Sequence, residues 1–287
     1  MPWIETRPRC HLYVDEDCHV DPWEPRPQTV VLIHGMAESG RAWTPWLPHL
    51  TRHFRVVRLD LPGFGRSLVD VGEYPWSMTS FAEDVVKVVD DLGEVRANVV
   101  GAKAGGAVAL AVACAAPDRI RSVVALTGPM WASGSDTVVH QSAIGKRVLA
   151  SGVADWAAAT MPARLGTGVS AEQSRWWTEL MSLTRADVLA AAAGGGTKLD
   201  LRPDLPRISG PALMITSKGS PLGSTEVRDV WHELVPHGRS IVFPDDGYHI
   251  AAIQPDACAT IVSAFMRDDM DAYARACRDH DGLDVRE

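Results

Sequence analysis

A doubly wound, mostly parallel α/β sheet with a helical insertion is the fold class that this sequence predicts, on three observations. Continuous β-branched apolar runs, of the kind buried on both faces of a parallel sheet, recur along the chain. Segments with helical spacing lie between them, the alternation that builds parallel crossovers. Between two of the later runs lie about eighty residues of helical pattern, far longer than an ordinary loop.

The elements follow in order. Residues 10–14 alternate weakly and predict an early edge strand, and a Pro-rich stretch then leads into the first buried run, Thr29 to Ile33, which ends in His34-Gly35. The second run, Phe54 to Asp60, ends in the turn-rich Leu61-Pro62-Gly63-Phe64-Gly65. Phe81, Val85, Val88, Val89 and Leu92 share one helical face, with Ser80 expected as N-cap and Glu83 three residues on. A strand at Ala97 to Val100 precedes an Ala/Val/Leu-rich helix from about Gly105 to Cys114, and Arg121 to Leu126 is a further buried strand. Pro211 to Thr216 and Arg239 to Phe243 predict two more, separated by a helix around Glu226 to Leu234, and the chain turns helical again from Pro255 to Met266. The expected organisation is a core of residues 1–128 and 211–287 with a helical cap at 129–210; within the cap, Ala190 to Gly196 is simple enough in composition to be a mobile linker.

At 287 residues the chain suits one sizeable core with an insertion rather than two independent domains. Its hydrophobic fraction of 46% and charged fraction of 22% are those of an ordinary globular protein. A net charge of -8 argues against a nucleic-acid partner. No apolar run nears the ~20 residues of a membrane span, and the N-terminus has no secretory pattern, so a cytoplasmic location is expected. The five cysteines are scattered without metal-ligand spacing and fit reduced thiols, so no metal or cofactor is expected. Lysine is used sparingly, with only Lys87, Lys103, Lys146, Lys198 and Lys218 among 28 Lys+Arg.

One of those lysines stands at a special place. Val100-Gly101-Ala102-Lys103-Ala104-Gly105-Gly106 joins a strand to a helix through small residues. Such a sharp strand-to-helix turn leaves no room for side chains beside the one it projects above the sheet. With His34-Gly35, Asp60-Leu61-Pro62-Gly63-Phe64-Gly65-Arg66-Ser67 and the late Gly247-Tyr248-His249, this elbow makes the chain resemble the α/β-hydrolase superfamily. The likeness is to its capped group of lactonases, esterases, carbon–carbon-bond hydrolases and cofactor-free haloperoxidase relatives, and it covers roughly residues 28 to 266. It implies an α/β-hydrolase fold, an oxyanion hole from the backbone N–H groups of Met36 and Ala104, and His249 as general base. It also exposes two departures. Lys103 occupies the position of the nucleophilic serine, and Ser220 that of the acid, where a hydroxyl cannot stabilise an imidazolium as a carboxylate does. Hydrolysis through an acyl-enzyme is therefore not expected.

Three roles stay open for Lys103. Burial and the adjacent helix N-terminus would disfavour its ammonium, leaving an amine able to form a Schiff base with a carbonyl compound. Kept charged, it would hold a carboxylate or enolate while His249 moves the proton. Paired with an acidic neighbour such as Glu38, it would leave a silent site used for binding. His34, Glu38, Trp131 and Ser220 are the candidate substrate contacts, and Trp156, Trp176, Trp177, Trp43 and Trp46 suggest an apolar or aromatic small molecule, although Trp176 and Trp177 cannot both face inward. The favoured expectation is a cofactor-free lyase, decarboxylase or cyclase acting on a small carbonyl-containing metabolite through Lys103 and His249. The alternatives are a hydrolase in which His249 activates water and a catalytically silent binding protein.

Overall fold

The computed structural model describes residues 2–24, 26–131, 134–195, 199–220 and 224–287, and of 134–142 the backbone alone. Its strands are β1 (Trp3–Arg7), β2 (Cys10–Asp17), β3 (Gln28–Ile33), β4 (Phe54–Leu59), β5 (Leu68–Val69), β6 (Ala97–Ala102), β7 (Ile120–Leu126), β8 (Ala212–Ser217), β9 (Arg239–Phe243) and β10 (Asp284–Arg286). They form one sheet in the order β1-β2-β4-β3-β6-β7-β8-β9-β10, with β5 beside β2. From β4 to β9 every neighbouring pair is parallel, and antiparallel β2 and β10 close that stretch on its two sides. The predicted buried runs are these parallel strands.

Why they are mainly apolar is visible in the alternation. Val31 and Ile33 of β3 enter one core, while Val30 and Leu32 enter the other. Successive side chains point to opposite faces, so a strand covered on both sides has no polar face to spare. On one face pack α2 (Met78–Asp91) and α3 (Ala104–Ala115), and on the other α9 (Pro255–Met266) and α10 (Met270–Arg278), in which Tyr273 is buried. The short α1 (Leu47–Leu50) and α8 (Ile250–Ile253) and the helix α7 (Thr225–Leu234) are the other α-helices outside the insertion among the described residues. Between β7 and β8 the described chain is helical: α4 (Gly134–Leu165), broken where Gly152 takes φ 87°, then α5 (Ala171–Ser182) and α6 (Ala186–Gly195).

Several local expectations are corrected. The edge strand is β1, and β2 is an inner strand that runs to Asp17, because it pairs with β1 on one side and β4 on the other. The N-cap of α2 is Ser77 rather than Ser80: its hydroxyl accepts the Ser80 N–H at 3.1 Å, and Ser80 is itself buried in the first turn. Ala190 to Gly195 is no linker but the end of α6, with Gly196 outside the described residues. Alanine is the best helix former, and Ala192 and Ala193 are buried. Gly195 is needed there because a Cβ would sit 2.3 Å from the carbonyl oxygen of Trp76.

The chain order reverses at β3, whose neighbours are β4 and β6. In open α/β sheets the crevice beyond the carboxyl ends of the strands at such a switch is where ligands bind. The loops after β3 and β6, which carry Glu38 and Lys103, open there.

Candidate active site

The elbow is a tight turn after β6. Lys103 takes φ 54° and ψ -119° as the residue before α3, a conformation that side chains adopt only under constraint. The constraint comes from its neighbours. A Cβ on Gly101 would fall 2.0 Å from the Gly105 carbonyl oxygen, and one on Gly105 would fall 2.2 Å from that of Ile33. The glycines therefore let β6, α3 and the end of β3 approach one another.

Lys103 is 8% exposed, and its side chain does not stand free. It runs over Gly35, whose added Cβ would lie 2.5 Å from Lys103 Cε, and the ammonium donates to Glu38 Oε1. Glu38 has no exposed side-chain surface. Its Oε2 accepts the Gly35 N–H at 2.9 Å, and its Oε1 lies 3.2 Å from His249 Nε2, outside hydrogen-bond geometry. One carboxylate thus touches both residues that the sequence singles out. In a Ser-His-Asp triad the acid holds Nδ1 and the nucleophile faces Nε2. Here the carboxylate stands on the Nε2 side, where the nucleophile would be.

The electrostatics follow from burial. Desolvation lowers the Lys103 ammonium to about 8, against the opposing pull of Glu38. Burial would raise the Glu38 carboxyl, but the charge of Lys103, followed by His249, outweighs it and holds Glu38 well below the usual carboxylate range. His249 falls to about 4, first by burial and then by repulsion from Lys103, so at neutral pH it is an uncharged imidazole. Neither of its ring nitrogens has a hydrogen-bond partner among the described residues. The edge of Trp177 packs on it with ring centroids 4.8 Å apart.

Met36 and Ala104 line one narrow apolar slot, of about 50 Å³, together with Leu61, Phe64, Met78 and Leu199. Among the described residues neither of their backbone N–H groups donates to another protein atom. Two unclaimed donors beside an apolar slot suit an oxygen that gains negative charge.

The other candidates divide. His34 is fully buried with both nitrogens engaged: Nε2 accepts the Leu61 N–H at 2.9 Å, and Nδ1 lies 2.6 Å from the Gly35 carbonyl, so it fixes two loops and is not available to a substrate. Glu38 serves Lys103 and His249 rather than standing open for a ligand. Trp131 is outside the slot. It bridges to Asp200 and lies under the Arg202 guanidinium, 5.1 Å from its ring centroid. Ser220 is buried in the turn after β8, where its N–H donates to the Ser217 carbonyl. Trp43 and Trp46 belong to the core, edge to face at 4.9 Å, so they are no ligand platform. Of the adjacent pair, Trp177 faces His249 and Trp176 lies 5.9 Å from the Arg41 guanidinium.

Sequence reasoning missed Arg164. It lies in the last turn of α4 and is 7% exposed, with its carbonyl accepting the His249 N–H at 2.8 Å. From the sequence, a basic residue at a helix end reads as ordinary complement to the helix dipole.

Residues 28–167 match the family model for the alpha/beta hydrolase fold. The putative carbamate hydrolase RutD of Caulobacter sp. (strain K31) is 30% identical over 251 residues, which cover 83% of this chain and 90% of that protein. The pimeloyl-(acyl-carrier protein) methyl ester esterase of Aeromonas hydrophila subsp. hydrophila is 25% identical, with 83% of this chain and 94% of that protein covered. Among solved structures, the enol-lactonase from Burkholderia xenovorans LB400 superposes with a TM-score of 0.79 at 21% identity, covering 95% of this chain and 100% of that one. A thermophilic esterase from Thermogutta terrifontis gives 0.81 at 22% identity, covering 93% and 97%. At these identities the structural matches speak for the fold.

Proposed function

As this chain belongs to the α/β-hydrolase family, we propose that it is a cofactor-free enzyme acting on a small carbonyl compound by a lyase, decarboxylase or cyclase type of reaction, without an acyl-enzyme. The observation that carries this reading is the buried contact set of Lys103, Glu38 and His249 at the elbow. The substrate carbonyl oxygen would take the unclaimed N–H groups of Met36 and Ala104, and the Lys103 ammonium adds positive potential where an enolate forms. Glu38 keeps that ammonium charged in a buried place. Neutral His249, with no committed nitrogen among the described residues, moves the proton to or from carbon. The Schiff-base role is less well supported, because discharging Lys103 would strand the Glu38 carboxylate without its cation. The inserted helices α4 to α6 are the proposed cap.

The test is deuterium wash-in at the α-carbon of small ketones and keto acids, followed by NMR, alongside hydrolysis of p-nitrophenyl acetate. Wild-type protein is expected to exchange α-protons without an acyl burst. Lys103→Met and His249→Ala are each expected to lose roughly 100-fold or more. A burst with an acyl adduct on any serine, and no exchange on any compound, would overturn the proposal.

A second reading is favoured by the names of the relatives, carbamate hydrolase and methyl ester esterase. In it His249 activates water and Lys103 polarises the carbonyl. Steady hydrolysis without a burst, lost in His249→Ala, would select it. Ligand binding without exchange or hydrolysis would select a silent binding protein, which the Lys103–Glu38 pair also allows.

A further inference from the structure

The buried arginines of this chain differ in one respect. Arg228, 8% exposed, has a carboxylate of its own in Asp284 and donates to Ser240 Oγ at 3.2 Å. Arg164, 7% exposed, has no carboxylate within ion-pair distance among the described residues. Its Nε donates to Thr160 Oγ1 at 3.1 Å. Its guanidinium carbon lies 4.7 Å from the Trp156 ring centroid and 5.6 Å from that of Tyr248. The two aromatic rings brace the guanidinium, and neither terminal nitrogen is among the sealed, unpartnered atoms.

Arg164 belongs to the site by position. Its carbonyl holds the His249 backbone, and its charge acts on both Lys103 and His249. Summed over the group, Lys103 and Arg164 are cationic, Glu38 is anionic and His249 neutral, so these four buried side chains carry one positive charge that no carboxylate among them balances. A mostly buried guanidinium without a carboxylate of its own favours an anion at its terminal nitrogens. Glu38 is already committed to Lys103.

We infer that Arg164 is the seat of a substrate carboxylate, so that the compound turned over here is a small carbonyl acid rather than a neutral ketone or ester. The inference rests on the proposed function for the meaning of "turned over" but not for the binding itself. A guanidinium fork braced on Trp156 accepts a planar carboxylate through two parallel N–H donors, which a lysine cannot reproduce. With the carboxylate anchored there, the carbonyl of the same molecule is left for the rest of the site.

Acetoacetate and acetoacetamide are nearly isosteric and differ in this charge, so they are the probes. Binding is followed by thermal shift and by quenching of tryptophan fluorescence in the full chain. Wild-type protein is expected to bind acetoacetate at least ~10-fold more tightly than the amide. Arg164→Gln is expected to weaken acetoacetate by roughly 10- to 100-fold and acetoacetamide by much less, and Arg164→Lys to fall between. Equal binding of acid and amide by the wild-type protein would overturn the inference, and needs no variant to fold. So would acetoacetate binding to folded Arg164→Gln at wild-type affinity. Acid-selective, Arg164-dependent binding with no α-proton exchange on any compound would keep the carboxylate seat and remove the proposed function. Acetoacetamide bound and exchanged as fast as acetoacetate would do the reverse.

Discussion

The backbone of the elbow and the side chains it presents are under different kinds of constraint. The backbone has almost no latitude: a Cβ added to Gly101 or Gly105 would fall 2.0–2.2 Å from a carbonyl oxygen. The charged half of the site has no such steric compulsion. Lys103 and Glu38 are held by opposite charge, while Arg164 is braced by Thr160, Trp156 and Tyr248 and has no carboxylate of its own among the described residues. A family fold can therefore keep the backbone of its elbow while the side chains around it differ, because the backbone is fixed by steric contact.

The steric half should break most completely. Gly105→Ala puts a methyl 2.2 Å from the Ile33 oxygen and 2.4 Å from that of His34, both backbone atoms that cannot step aside. A loss of about 4 kcal/mol or more is expected, enough to leave little folded protein, as read by urea denaturation. A variant melting near the wild type would mean that the elbow is looser than these contacts require.

The charged half should yield less and be repairable. Glu38→Gln strands the Lys103 ammonium in a buried place, at an expected cost of about 3–5 kcal/mol. Adding Lys103→Met removes the stranded charge, so the double variant should recover most of that loss. Additive effects in the four-protein cycle would contradict the pairing.

How much of this was legible in the sequence follows the same division. The parallel strands and the elbow announce themselves because buried strands must be largely apolar and tight turns must be small. The possible pairing of Lys103 with Glu38 was legible too, since Glu38 follows the motif that ends the first buried strand. The carboxylate's approach to His249 was not, because it depends on how the loops after β3 and β9 fold together. Arg164 had no local signal at all. It is set apart by having no carboxylate partner among the described residues, and partners are a property of the packed molecule. The same holds for His34, which reads as a site residue and proves to brace the Leu61 and Gly35 backbones, and for Ala190 to Gly195, whose simple composition hides a packed helix.

A smaller effect separates the protonation states. His249 titrates at about 4 when folded, against an ordinary value of 6.5. Between those values the unfolded chain binds the extra proton, so stability rises with pH across this window. The contribution is complete above about 6.5 and lost as pH falls to about 4, up to about 3 kcal/mol. His249→Gln should flatten that part of the stability–pH curve. An unchanged slope would mean that another group carries it.

The elbow holds a buried, carboxylate-paired lysine whose ammonium is weakened but retained at neutral pH. Nitrogen-15 NMR of the five lysine side chains, titrated from pH 6 to 11, tests it most directly. The Lys103 signal should titrate near 8, apart from the other lysines, and shift lower still in any folded Glu38→Gln protein, since the carboxylate supports the charge. A Lys103 that titrates near 10.4 with ordinary surface lysines would contradict the account.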